Sequence, residues 1–379
     1  MKISVFPFGD NDHNQQVLAG FEILRRLGCL EIRYRYDGLS VFNMDHTSRT
    51  EYSALYQIVV MRLDGVGDVV FDLNDSDIVF ENLHDACIVY FKRSFCRSAH
   101  ARFPKIRPLG LNYEARPPFL SASALYRSIV LSKSAVSRVR GVLRVFGLPR
   151  PYTFSPNKDR QARISLPAPP RILFLARTWD PCEFDAQYHR HLDAINAMRA
   201  DCVRELRRTF GDSFTGGLLA SPHAKRHFPD CVTPATLRTD RRSFLRLVDT
   251  HQICVATSGL HDSTGWKFAE FVAKGRAIVA EAMRFQVPGP MSEGTNYLAF
   301  DSAASCVEKC AVLMRDAEYR YEMMSANRAY YNGYVSPEAL VRNAISWACP
   351  TIERGLQPHP AKGREAGLPE AGPASLRFG

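Results

Sequence analysis

Thr257-Ser-Gly-Leu-His-Asp-Ser-Thr-Gly-Trp-Lys-Phe-Ala-Glu-Phe-Val-Ala-Lys-Gly-Arg-Ala-Ile-Val279 leaves the apolar run Gln252 to Ala256, crosses a loop of small and polar residues, and enters a helical pattern from Gly265 to Lys274. A second apolar run, Ala277 to Ala280, follows at once, so the stretch reads as strand, loop, helix, strand, the unit from which parallel α/β sheets are built. The loop leaves backbone N–H groups free at the helix start, where the macrodipole favours an anion. Gly259, Ser263 and Thr264 would form that cradle, with Lys267 as a nearby cation and a diphosphate as the fitting ligand. Glu270 lies about two turns in, on the wall shared by Asp262 and Lys267, where a carboxylate can hold both hydroxyls of a ribose. Gly275 ends the helix as a C′ residue does. The same residues also fit a plain α/β crossover in which Asp262 or Ser263 caps the helix and Glu270 is solvated.

Working outward, the order β, α repeats. Arg171 to Ala176, Phe214 to Leu219, Gln252 to Ala256 and Ala277 to Ala280 read as strands, separated by helices at Leu192 to Phe210 and Phe244 to Thr250. An earlier set opens with Lys2 to Phe8, then a polar turn Gly9 to Asn14 and a helix Gln16 to Leu27. Strands follow at Glu31 to Tyr36, Ile58 to Leu63, Val69 to Leu73, Ala86 to Phe91 and Lys105 to Leu109, with Asp75 or Ser76 capping a short helix. Two Rossmann-like α/β domains facing across a cleft are the expectation: residues 1–150, a Pro- and Ser-rich linker 151–170, a second domain 171–355 and a disordered Pro/Gly/Ala-rich tail 356–379. A chain of 379 residues is long enough for both. The 10 cysteines have no CxxC spacing and read as reduced thiols. With no apolar run long enough to span a membrane and no signal-peptide pattern at the start, the expected setting is the cytoplasm.

In the segment that began this reading, Glu270, Phe271, Ala273, Gly275, Ala277, Ile278 and Val279 resemble the donor-site pattern of the retaining "glycosyl transferases group 1" branch of GT-B glycosyltransferases. That branch carries two acidic residues with seven between them, and Asp262 and Glu270 have this spacing, with Asp in place of the usual Glu. Arg177, after Ile172 to Ala176, stands where the family places an Arg against the diphosphate, whereas the Lys usual five residues later is Cys182 here. The resemblance covers residues 171 to 350 and implies transfer of a sugar from a nucleotide-diphosphate donor of UDP or GDP type to a surface-glycan or lipid-linked acceptor. It implies no cofactor and no metal, with helix amides, Arg177 and Lys267 offsetting the diphosphate charge. Arg177, Gly259, Ser263, Thr264, Lys267 and Glu270 become the expected donor contacts and Asp262 a catalytic candidate. A nucleotide-sugar epimerase or hydrolase on the same scaffold, or a non-catalytic sugar-nucleotide or glycan-binding protein, are the alternatives.

In such enzymes the loop after the first strand faces the donor, so Asp12 and His13 are acid/base candidates and Asp10 an acceptor contact, although any turn favours Asp and Asn. Lys92 and Arg93, at the carboxyl end of a strand, are candidates for an anionic acceptor. Asp10-x-Asp12, Asp75-x-Asp77, His189-x-His191 and His223-x3-His227 have ligand-like spacing without the partners a metal site needs.

The net charge of +10 is concentrated. Between Ala115 and Lys158 there is no acid, against Arg116, Arg127, Lys133, Arg138, Arg140, Arg144, Arg150 and Lys158. Leu125, Ile129, Leu131, Val136, Val139, Val142, Leu143 and Phe146 share one helical face flanked by Arg127 and Arg138 on one side and Lys133, Arg140 and Arg144 on the other, the layout of a helix lying on an anionic membrane. A helix packed on the N-terminal sheet with a solvated basic back fits the same pattern. No aromatic-basic platform or known module supports nucleic acid as a partner.

Overall fold

The β-branched and aromatic residues of Lys2–Pro7 (β1) bury on both sides, Ile3 and Val5 in one core and Phe6 in another, as a strand covered on both faces must. A computed structural model describes residues 1–44, 54–115, 122–131, 138–139 and 169–350. Beside β1 stand Glu31–Tyr34 (β2), Ile58–Leu63 (β3), Gly67–Asp72 (β4), Val89–Lys92 (β5) and Ile106–Pro108 (β6), in the order β2-β1-β3-β4-β5-β6. One strand departs from the all-parallel expectation: β3 runs antiparallel to both β1 and β4. Only Asp64, Gly65 and Val66 separate β3 from β4, too few residues for a crossover, and Gly65 at φ 76° turns the hairpin. The short helix before β5 is Glu81–Ala86, entered from Phe80 with no side-chain cap, so neither Asp75 nor Ser76 caps it.

The second sheet is parallel throughout, in the order β11-β10-β9-β7-β8, from Ile172–Ala176 (β7), Phe214–Leu218 (β8), Ile253–Ala256 (β9), Ala277–Glu281 (β10) and Leu298–Phe300 (β11). A 25-residue helix, Ala186–Phe210, joins β7 to β8, and Trp266–Ala273 joins β9 to β10. Gly275, at φ 57°, ends the latter as its sequence implies.

The chain passes between the units more than once. Leu111, Tyr113 and Ala115 already pack in the core of the second unit. From its far end, a turn at Tyr331–Val335 leads to the helix Pro337–Ala348, whose Leu340, Val341, Ala344 and Ile345 complete the core of the first. That helix seats on Gln15–Arg26, and the approach is so close that a Cβ on Gly20 would lie 2.1 Å from the Pro337 carbonyl oxygen. The Gln16 amide donates to the carbonyls of Val335 (2.7 Å) and Leu111 (3.2 Å), tying both crossings together.

Of the basic segment, the structure describes Ala122–Val130 as helix, with Leu131, Arg138 and Val139 beyond it. Arg127 is not a solvated flank residue: it is buried, donates to Asp10 at 3.0 Å and lies over the Tyr34 ring. Lys133, Arg140 and Arg144, linker residues 151–168 and the tail lie outside the described residues.

Candidate functional site

Where the carboxyl ends of β7 and β9 face the first unit, a cavity of about 600 Å³ opens, lined from the second unit by Arg177, Arg199, Arg241, Lys267 and Glu270 and from the first by His13, Asp75 and Arg93. Six permanent or potential cations meet two carboxylates there. Both carboxylates are ion-paired, Asp75 with Arg93 and Glu270 with Arg241. The cavity is therefore built to take an anion.

Helix Ala186–Phe210 holds the loops that shape it. Its buried stripe Leu192, Ile195, Asn196, Arg199, Val203, Leu206 carries two polar residues on an apolar face. The Asn196 amide accepts from Trp179 N–H (2.9 Å) and donates to the Trp179 carbonyl (2.7 Å). Arg199 donates to the carbonyls of Arg177 and Ser258, each at 2.7 Å, and to Thr257 Oγ1 at 2.9 Å. Both loops are thus pinned from beneath, while Arg177 stacks on the fixed Trp179 ring 3.7 Å from its centroid. Glu281, at the end of β10, accepts from Ser258 N–H at 2.6 Å. Arg199 and Arg241 were not singled out from sequence. For Arg199 the signal existed, since an Arg within an i, i+3, i+7 apolar stripe must find buried acceptors.

The expected donor residues largely meet at this cavity. Gly259 and Ser263 line it, and Gly259 N–H donates to the Ser263 carbonyl at 2.8 Å. Lys267 lines it too, its amine on the Leu175 carbonyl, and burial, reinforced by Arg199, pulls its pKa down to about 7. Glu270 is 1% exposed; burial raises its pKa against the pull of Arg241. It is not the solvated residue of a plain crossover. Thr264 faces the other unit, its carbonyl accepting from Arg93 at 3.0 Å.

The catalytic candidates separate. His13 is in the cavity wall, edge-on to Trp266 at 4.8 Å, and burial, then the charge of Arg93, lowers its pKa. Asp12 is not among the lining residues. Asp262 stands outside the main cavity, 44% exposed, held by Arg284 at 2.9 Å with His191 at 3.6 Å. His261 and Asp262 are both left-handed, at φ 58° and 56°, so the loop carries strain at this rim. Arg284 also reaches to within 3.8 Å of Asp77 in the first unit.

Two acceptor candidates face away. Asp10 accepts from Arg127 and from the Gln15 amide at 2.9 Å. Lys92 is 0% exposed and bound to Asp72 at 2.9 Å, a carboxylate that also accepts from Tyr90 at 2.7 Å. Arg93 alone of the three reaches the cavity. Among the described residues no group of three or more His, Cys, Asp or Glu stands together as a metal site. Asp75 and Asp77 are taken by Arg93 and Arg284, and the His223 and His227 rings pack on each other at 4.6 Å.

No protein-family model matches the chain, and no curated protein does. Among solved structures it is similar to the C-terminal domain of a glycosyl transferase group 1 family protein (LpcC) from Francisella tularensis, at 12% identity over 44% of this chain and 86% of that one, with a TM-score of 0.32. It is similar to HepE of Anabaena in complex with UDP and glucose, at 10% identity over 70% of this chain and 64% of that one (TM-score 0.37). A third likeness is to UDP-GlcNAc 2-epimerase from Neisseria meningitidis bound to UDP-GlcNAc, at 11% identity over 67% and 63% (TM-score 0.32). The chain spans less than two thirds of the latter two proteins.

Proposed function

We propose that this chain is a GT-B glycosyltransferase that moves a sugar from a nucleotide-diphosphate donor, of UDP or GDP type, to a glycan or lipid-linked acceptor. The observation that carries the reading is the excess of basic side chains in the cavity, Arg177, Arg199 and Lys267 having no carboxylate partner among the described residues, beside the buried Glu270, which is the complement of a diphosphate next to a ribose diol. These cations offset the charge that builds on the departing diphosphate. The resemblance of Glu270 to Val279 to the group 1 donor pattern supports the same assignment. His13 is the acid/base candidate from the first unit with a place in the wall, and its lowered pKa suits a base that is neutral near pH 7.

Asp262, tied to Arg284 outside the cavity, favours a second reading on the same scaffold, a nucleotide-sugar epimerase or hydrolase. Incubation with labelled UDP- and GDP-sugars and candidate acceptors separates the outcomes. A glycosylated acceptor is expected; an epimerised donor or free sugar points to the second reading, and an unchanged donor that still binds points to a binding protein. The anomeric configuration, read by NMR, tests Asp262 further: retention follows from the family spacing, inversion from His13 as base. Exposed Tyr126, Ile129, Val130 and Val139, within a stretch that lacks acids, support a cytoplasmic enzyme held peripherally at an anionic membrane.

A further inference from the structure

The cations of the cavity differ in what holds them. Arg93 and Arg241 each have a carboxylate. Arg199 is held by two carbonyls and a hydroxyl, and Arg177 lies on Trp179. The Lys267 amine has one neutral acceptor, the Leu175 carbonyl, and the Phe244 ring 5.6 Å away. The charged groups around it are Arg177 after β7, Arg199 from helix Ala186–Phe210, Arg241 from helix Arg241–Thr250, and Glu270 from its own helix, which is already claimed by Arg241 and has the buried Glu114 of the first crossing near it. Across the cavity stand His13 and the Asp75–Arg93 pair. A fourth positive charge among three guanidiniums, on a half-buried amine, is unfavourable until an anion arrives.

We propose that a diphosphate entering this cavity brings a proton with it, taken from solvent by the Lys267 amine, so that the ammonium exists in the filled site and the free amine in the empty one. The inference rests on the nucleotide reading above and adds its regulation: donor and product nucleotide are held more loosely as pH rises. The burial that draws the Lys267 pKa down to about 7 in the empty cavity places the effect in the physiological range. Two phosphate charges against the same amine raise it again.

The test is calorimetric titration with UDP, GDP and inorganic pyrophosphate at about pH 8, above the last ionisation of the two nucleotides, in buffers of low and high ionisation enthalpy; proton uptake is read from the nucleotides, and pyrophosphate, which keeps a proton of its own at that pH, is read for binding alone. Wild-type protein should take up a large fraction of one proton per ligand bound, and its affinity should fall by up to about tenfold per pH unit above about pH 7. Lys267→Arg, charged at every pH, should bind without uptake and without that slope; Lys267→Met, of similar length and no charge, should bind weakly and also without uptake. Circular dichroism checks that each is folded, and the wild-type slope stands whichever variant survives. Binding by the wild type with no uptake overturns the proposal and leaves the nucleotide reading intact, and so does uptake that persists in either folded variant, which would place the proton on the ligand or on His13. Failure of all three probes to bind overturns both.

Discussion

Glu270 and Arg241 form a buried pair at the edge of the cavity, and their chemistry makes a change at either one costly twice. Glu270→Gln keeps the shape and an acceptor but leaves the guanidinium without its countercharge, so a stability loss of about 2 kcal/mol is expected from thermal unfolding. The same change should weaken nucleotide binding by about 1.5 to 3 kcal/mol, the scale of a charge-assisted hydrogen bond. Undiminished nucleotide affinity in the folded variant would remove Glu270 from the donor site. Lys267 bears on stability with a definite sign. Its native pKa of about 7 lies below the ordinary 10.5, so between those values Lys267 holds more protons in the unfolded chain, and its contribution to the stability of the empty protein rises with pH, by up to about 1.4 kcal/mol per unit. Below about pH 7 the penalty is present in full. Buried thiols such as Cys87, raised by burial, act in the opposite sense at the alkaline end, so the readout is the difference: urea unfolding across this window should give wild type a more positive slope with pH than Lys267→Met, and equal slopes would contradict it. Glu270 and Lys267 were legible because glycine, small polar and charged types recur at fixed offsets around a helix start; Arg241, on a different helix, carried no such signal. Asp10 and Lys92 were misplaced for a physical reason: a position at the carboxyl end of a strand says where the Cα lies, and whether a charge points to the cleft or to a buried partner such as Arg127 or Asp72 depends on elements distant in sequence.

Among the elements, the helices Gln15–Arg26 and Pro337–Ala348 make the closest approach, with Gly20 against the Pro337 carbonyl. Gly20→Ala should force them apart at a cost of about 1 to 3 kcal/mol. Calorimetry should show a melting temperature lower by roughly 2 to 4 °C for each kcal/mol lost, the scale for domains of this size. An unchanged melting temperature would mean that the contact gives way without cost. Four of the five strands of the second sheet could be read from sequence as short runs between helical patterns; Leu298–Phe300 was not anticipated, because the chain reaches it from β10 through a loop with no helix to mark the crossover. The first sheet was less legible at β3 and β4, where the strands were anticipated but the three-residue turn that reverses the chain was not. Helix Ala186–Phe210 shows the opposite case: its period was plain and Arg199 within it announced buried acceptors, but which groups Asn196 and Arg199 hold, the Trp179 backbone, the Thr257 hydroxyl and the Ser258 carbonyl, is fixed only once the loops above them are in place.

At the scale of the molecule, two α/β units enclose one cationic cavity and present a basic, partly apolar stretch on the first. No helix among the described residues is long and apolar enough to cross a membrane. Each Lys or Arg near an anionic leaflet contributes about 1 kcal/mol, screened by salt. Co-sedimentation with anionic vesicles, absent with neutral ones and lost at high salt or on changing Arg138, Arg140 and Arg144 to Gln, is the expected result; equal recovery in the supernatant with both lipids would refute it. The helix Pro337–Ala348 also sets a timetable. On a ribosome adding roughly 5 to 20 residues per second, Gly20 waits on the order of 15 to 60 seconds before Pro337 is even synthesised. Until then Val17, Phe21 and Leu24 lack the cover that Leu340, Val341 and Ile345 later give them. The half of the protein made first is thus finished last, and the nascent chain must be kept from aggregating through that exposed groove while the whole second unit is made.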